Sequence, residues 1–380
     1  MKIATRNVSL GMDRFSGLYL WAAFIIIFGV LRPSLFLTSA TVHSVASQQA
    51  VAAMLALAIL MPLASGAYDL SIGANINLAA VLVSIMQVSW HVNMVLAIVL
   101  TVLVGVVIGL VNGFIVVKLH VSSFIATLGM ATVIAAVQTI VTNNLEPNPV
   151  ISKTWSNLTQ YTVGGFQIIF VYLIVLALIM WWVLDHMPIG RFTYAVGSNA
   201  EAARLSGVRV GKYAWISLVV SGGLCSFAGV CYASLSGPSL TFGEALLLPA
   251  YAAAFLGCTQ IKPGRFNVWG TMIAVYVLAT GVVGIEYLTN VQWLNDMFNG
   301  VALILAVSFA VWRQRSDARH TAARDDAGSM PLSEEEELSM PGALPIETGD
   351  VPGSSSAAGG DMDRPPPEPG HDIAPAARRT

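Results

Sequence analysis

Long apolar runs alternate with short polar turns along this chain. Ten such runs fall at about 18–37, 45–63, 70–88, 94–117, 123–141, 166–184, 214–233, 246–260, 268–288 and 293–312. Most are close to 20 residues, enough for a helix to cross a hydrocarbon core of ~30 Å. The pattern predicts an all-α, polytopic membrane bundle of about ten transmembrane helices. Lys2, Arg6 and Arg14 precede the first run, as in a signal peptide, but no small-residue cleavage site follows and more spans do. It reads as a retained helix. The run at 70–88 is the weakest, because Asp69, Ser71, Asn75 and Asn77 crowd its start. A broken or re-entrant segment is expected there, which is tolerated only where protein or a water-filled cavity covers the backbone.

Composition agrees: 56% of residues are hydrophobic and 11% charged, against about 25% charged in soluble domains. The net charge of −2 hides an asymmetry. Up to Arg315 there are 14 Lys and Arg against 8 Asp and Glu, and from Ser316 onward 5 against 13. Lys and Arg concentrate in cytoplasmic loops. With the N-terminus inside and the runs alternating, 12 basic residues of the membrane part fall inside, and only Arg32 and Lys153 outside. Both termini are therefore expected in the cytoplasm. Three regions follow: a cytoplasmic segment 1–17, a transmembrane domain 18–315 and a tail 316–380. The acidic, Pro-, Gly- and Ser-rich tail has too little apolar content to offset its ordering entropy and reads as disordered.

Candidate chemistry is sparse. Gly211-Lys212 is followed by Tyr213, and Ser206 stands where the first glycine of a P-loop would be, so the chain carries no Walker-type ATP site. Asp69, Glu244 and Glu286 lie near helix ends, where ion coupling is less expected than at mid-membrane. The six histidines are scattered, and Cys225, Cys231 and Cys258 have no metal-ligand spacing. No catalytic, cofactor or metal set stands out. Gly105, Gly109, Gly222, Gly223, Ala228 and Gly229 suit close helix packing. The loop 185–213 carries more. Asn199 can cap a short Ala-rich helix holding Glu201 and Arg204, and Gly207 suits its end.

Four stretches resemble the transmembrane permease subunit of bacterial ABC importers of the ribose and simple-sugar type. They are Tyr68-Asp69-Leu70-Ser71-Ile72-Gly73; Asn112-Gly113 through Lys118-Leu119 to Phe124-Ile125-Ala126-Thr127-Leu128-Gly129; Gly190-Arg191 through Gly197 to Val208; and Gly257 with Pro263-Gly264-Arg265-Phe266-Asn267-Val268-Trp269-Gly270-Thr271. Tyr68 stands in place of the family's Ile. Cys258 to Lys262 replaces a Gly-Ser-Gly-rich turn, which leaves the sugar open.

The resemblance implies a non-enzymatic transport subunit in the bacterial inner membrane. It implies a second permease chain as a homodimer, a soluble sugar-binding protein, and a separate ATP-binding subunit that holds ATP and Mg. The family's coupling helix maps onto Gly197, Asn199, Ala200, Glu201, Ala203, Arg204, Leu205, Ser206 and Gly207. For the translocation pathway the polar residues within spans are expected: Asp69, Ser71, Asn75, Asn77, Asn112 and Thr127. Surrounding lipid is a partner and nucleic acid is not. The alternative is an ion-coupled secondary carrier of a small polar solute, which would work without a partner ATPase.

Overall fold

The computed structural model describes residues 12–289, 291 and 293–308. The expected tail and most of the N-terminal segment lie outside the described residues. The chain begins with α1 (Met12–Leu31), α2 (Pro33–Phe36), α3 (Ser39–Gln48), α4 (Ala50–Ala58), α5 (Leu60–Ala64), α6 (Ile72–Val88), α7 (Met94–Lys118), α8 (Ser123–Thr142) and α9 (Lys153–Gln160). A small antiparallel hairpin follows, β1 (Thr162–Val163) with β2 (Phe166–Gln167). Then come α10 (Ile168–Asp185), α11 (Pro188–Ser198), α12 (Ala200–Leu205), α13 (Val210–Ser236), α14 (Phe242–Cys258), α15 (Val268–Thr289) and α16 (Trp293–Ser308).

Among the described residues, six helical spans are long and apolar enough to cross a membrane: Ser39–Ala64, α7, α8, α10, α13 and α15. Gly17–Leu31, α6, α14 and α16 are shorter apolar helices. The architecture is a helical membrane bundle, with the two-residue strands as its one departure from all-α among the described residues. Three local features lay outside the sequence reading. The first run stops at Leu31, because Arg32 precedes Pro33 and leaves helical geometry at φ −141°, a restriction that proline imposes on its predecessor. The 143–165 connection holds α9 and half of the hairpin. The 185–213 loop holds α11 before the expected short helix.

Burial sorts the helices. Every residue of α4, Ala-Val-Ala-Ala-Met-Leu-Ala-Leu-Ala, is buried, and so is nearly all of α6. A helix apolar on all sides belongs in an interior. Around these two, α13 and α14 complete the centre. Gly105 and Gly109 of α7 meet Gly222 of α13 so closely that a Cβ on Gly222 would overlap the Gly105 carbonyl, the close approach that small residues permit in lipid. By contrast, α7, α8 and α10 turn large apolar side chains outward, among them Val107, Ile140 and Ile179. In water such a surface would be a liability; facing hydrocarbon it needs no cover.

The connections gather at two ends. At one end Asp185 pairs with Lys262 and Arg265, Tyr194 bonds Phe266, Gly197 meets Ala64 and Gly66, and Ser123 bonds Tyr68. At the other, Trp155 bonds Ser234 and His43 packs edge-on against Phe166 at 4.4 Å.

Candidate functional site

The charged end is built around α11 and α12. Asn199 leaves helical geometry, and its side-chain oxygen accepts from Ala202 N at 3.0 Å, satisfying a backbone donor that a helix start otherwise leaves free. Ser206 Oγ donates back to Ala202 O, and Gly207 ends the turn at φ +80°, a conformation that side chains disfavour. Glu201 and Arg204 form an exposed ion pair at 2.6 Å. Leu205 projects outward, 82% exposed, while Ala203 is buried. The helix is thus locally fixed and presents an apolar tip flanked by charge.

Gly197, just before the cap, joins this helix to the bundle. A Cβ at 197 would overlap the Ala64 carbonyl, and Gly66, at φ +80°, lies against Gly197. The contact is backbone on backbone, so a displacement of α12 has no flexible side chain to absorb it. Farther out, Asp185 binds Lys262 at 2.6 Å and Arg265 at 3.7 Å, and the Arg265 guanidinium lies over the Tyr194 ring. Burial pushes the Tyr194 hydroxyl up to about 12, against the lowering effect of Arg265, so it keeps the proton that it donates to Phe266 O.

Gly66 opens the non-helical stretch between α5 and α6. Each backbone N–H from Ser65 to Ser71 has a partner. Ser65, Gly66 and Ala67 bond back to α5 carbonyls. Tyr68 N donates to Ser123 Oγ, Leu70 N to Thr127 Oγ1 and Asp69 N to the Tyr251 hydroxyl. Ser71 N donates to Asp69 Oδ1. Side chains of α8 and α14 thus take over the work of the missing helical bonds, as an unwound segment inside a membrane domain requires.

Asp69 is the one buried carboxylate among the described residues. Its Oδ1 also accepts from Ser71 Oγ at 2.6 Å, and its Oδ2 from Ser221 Oγ at 2.7 Å. No cation pairs with it among the described residues. Asn112 Nδ2 donates to Ser71 Oγ, whereas Asn112 Oδ1 finds no donor. Next along α6, Asn75 donates to Gly222 O and accepts from Ser226 Oγ. Asn77 donates to Leu240 O and accepts from Gly243 N.

All six expected pathway residues are therefore buried and bonded within the bundle. Asp69, Ser71, Asn112 and Thr127 meet at the break, while Asn75 and Asn77 tie α6 to its neighbours. Ser221 and Tyr251, which bond Asp69, Ser226, which bonds Asn75, and Ser217, which bonds Ser65 just before the break, were missed. The serines repeat on α13 at intervals of four and five residues, a one-sided small-polar seam that was legible; Tyr251 had no such signal. A cavity of about 630 Å³ lies elsewhere, between Trp21, Phe166, Phe170 and Tyr276. Its Trp21 and Tyr276 donors are used on Thr280 and Ala46.

Residues 41–307 match the family described as the branched-chain amino acid transport system / permease component. The chain belongs to this permease family. The permease is 36% identical over 298 residues to the ribose import permease protein of Bacillus subtilis (strain 168), covering 77% of this chain and 90% of the relative. It is 31% identical to the ribose import permease protein of Escherichia coli (strain K12), over 74% and 89%. It is 25% identical to that organism's D-allose transport system permease protein, over 80% and 93%. No solved structure matches the chain. The family description names amino acids and the relatives are named for sugars; the relatives, aligned over about nine tenths of their length, are the narrower comparison. The match begins in α3 and ends in α16, so it spans the whole of the break and of α12. The permease is a multi-pass membrane protein.

Proposed function

We propose that this chain is the permease subunit of an ATP-driven ABC importer for a monosaccharide, in the bacterial cytoplasmic membrane. The observation that carries the reading is the backbone junction of Gly197 with Ala64 and Gly66, which joins an exposed, capped helix to the unwound segment that leads into the buried α6. An ATP-driven transporter without its own nucleotide site needs such an input. The chain itself is a transport subunit; ATP and Mg reside on a separate ATP-binding subunit that contacts Gly197 to Gly207. A soluble binding protein delivers the sugar from outside, and a second copy of the permease completes the pore. The six long spans and four shorter apolar helices together make ten crossings with both termini cytoplasmic. The meeting of Gly66, Ser123, Asp185, Tyr194, Lys262 and Arg265 at one end supports that alternation.

Mechanically, closure of the motor pushes α12, and Gly197 transmits the push to Gly66. The break then exchanges partners. Ser123, Thr127 and Tyr251 hold its backbone in the present arrangement, and Ser221 and Asn112 hold its side chains. Asp69, Ser71, Asn75, Asn77, Asn112 and Thr127 come to border the path as these helices shift. The sugar biases the exchange only through different affinities for the two arrangements.

A second reading, the ion-coupled carrier, draws on the buried Asp69. One reconstitution separates them. The purified chain alone in liposomes, under a proton or sodium gradient, is expected to take up no ribose. Chain, ATP-binding subunit and binding protein together are expected to do so with ATP. Gradient-driven uptake by the chain alone would overturn the importer reading.

A further inference from the structure

We propose that the groove between the charged ends of α7 and α13 binds an anionic phospholipid of the surrounding membrane. The groove has a volume of about 920 Å³. Leu110, Val117, Ile216 and Val219 form its apolar wall, and Lys118, Arg204, Arg209 and Lys212 stand around its rim. No acidic residue lines it. Arg204 is held by Glu201. Lys118, Arg209 and Lys212 are exposed, and their side chains make no ion pair or hydrogen bond among the described residues. Three unpaired cations on one rim leave a positive charge that no described residue answers.

The backbone adds to it. Val210 to Lys212, the first turn of the 27-residue α13, belong to the lining, and no side chain caps that helix. Lys212 N donates to Arg209 O, and the remaining first-turn N–H groups with the positive end of the helix dipole favour an anion there. Trp215 sets the depth. Its Nε1 donates to Leu110 O at 3.1 Å, and its ring meets Phe114 edge-on at 6.4 Å. Tryptophan concentrates at the level of lipid headgroups. From Lys118 back to Leu110 the wall descends eight residues, about 12 Å at 1.5 Å per residue. Cations at the mouth and an apolar wall that runs inward past the tryptophan match a headgroup phosphate with its acyl chain. An acidic protein segment or a free phosphate would use the rim and leave the wall uncovered.

The proposal rests on the orientation given above, which puts the rim on the cytoplasmic leaflet, where anionic lipids lie and each nearby Lys or Arg contributes about fivefold in binding. The purified full-length chain in neutral detergent, offered equimolar phosphatidylglycerol and phosphatidylcholine, is read by native mass spectrometry. Phosphatidylglycerol should be retained about tenfold over phosphatidylcholine. Lys118→Gln, Arg209→Gln and Lys212→Gln combined should bring that ratio within about twofold, while Arg191→Gln, away from the groove, should leave it unchanged. Should the triple variant misfold, Lys118→Gln and Lys212→Gln alone should each lower the ratio about threefold. An equal ratio in the unaltered chain would overturn the proposal, as would full preference in the variants. Displacement of the lipid by inorganic phosphate, or by added ATP-binding subunit, would reassign the groove to a free anion or to the motor. Because no transport is measured, failure here leaves the importer reading intact, and the reverse also holds.

Discussion

The two ends of the bundle are held by different means. At the end carrying α11 and α12 lie all three ion pairs among the described residues, a capped exposed helix, and the backbone junction of Gly197 with Gly66. At the other end α9 is anchored by one large side chain. Trp155 is 2% exposed, its carbonyl accepts from Ser234 Oγ, and Gln160 reaches Leu235 O. The first end is fastened rigidly to the unwound segment inside; the second is sealed by local packing. Stability and coupling should therefore fail separately when each is disturbed.

Trp155→Ala tests the sealed end and should have the largest effect on stability. Removing a buried tryptophan costs about 3–5 kcal/mol, measurable by chemical unfolding in micelles, yet association with the ATP-binding subunit should persist. Unchanged stability, or loss of association by the fraction that remains folded, would break the contrast. Asp69→Ala comes next. It strips the acceptor from Ser71 N, Ser71 Oγ and Ser221 Oγ, and a buried donor left unpaired costs about 1–3 kcal/mol. Asp69→Asn keeps an acceptor for Ser71 and should lose clearly less; equal losses would mean that the network does not hold the break.

Gly197→Ala should cost about 1–3 kcal/mol, as overpacking does, because its Cβ overlaps the Ala64 carbonyl. Its signature is ATP-driven uptake falling by more than the fraction of folded protein. Uptake that merely follows folding would show that the junction transmits nothing. The smallest change in stability is expected for Glu201→Arg or Arg204→Glu. The pair is exposed and such pairs contribute little, so the unfolding midpoint should not move while uptake is lost. Unchanged uptake would remove the coupling role.

How far the sequence alone carried this picture depends on the distance over which each feature is determined. The spans follow from runs of about 20 apolar residues. The α12 helix was legible because a cap and a stop, Asn199 and Gly207, lie within nine residues. Asp69, Ser71, Asn75 and Asn77 pointed to a break within 70–88; α6 runs unbroken from Ile72 to Val88, and the unwound stretch precedes it, so only Asp69 and Ser71 mark it. What holds it was not visible: Ser221 and Tyr251 stand 152 and 182 residues away from Asp69, and only the packing of α13 and α14 brings them there. Pro33 was readable as a breaker and was passed over within a long apolar run. Gly66 and Gly197 looked like ordinary loop glycines until the two loops met.

Site-specific cross-linking tests the central claim most directly. The native cysteines, Cys225, Cys231 and Cys258, are buried, so a single introduced thiol reports its own surroundings. With Leu205→Cys, a short bifunctional reagent should join the chain to the ATP-binding subunit in membranes, and Lys153→Cys at the sealed end should give no such product. The reverse pattern, or labelling of Leu205→Cys by an impermeant reagent applied from outside, would contradict the account.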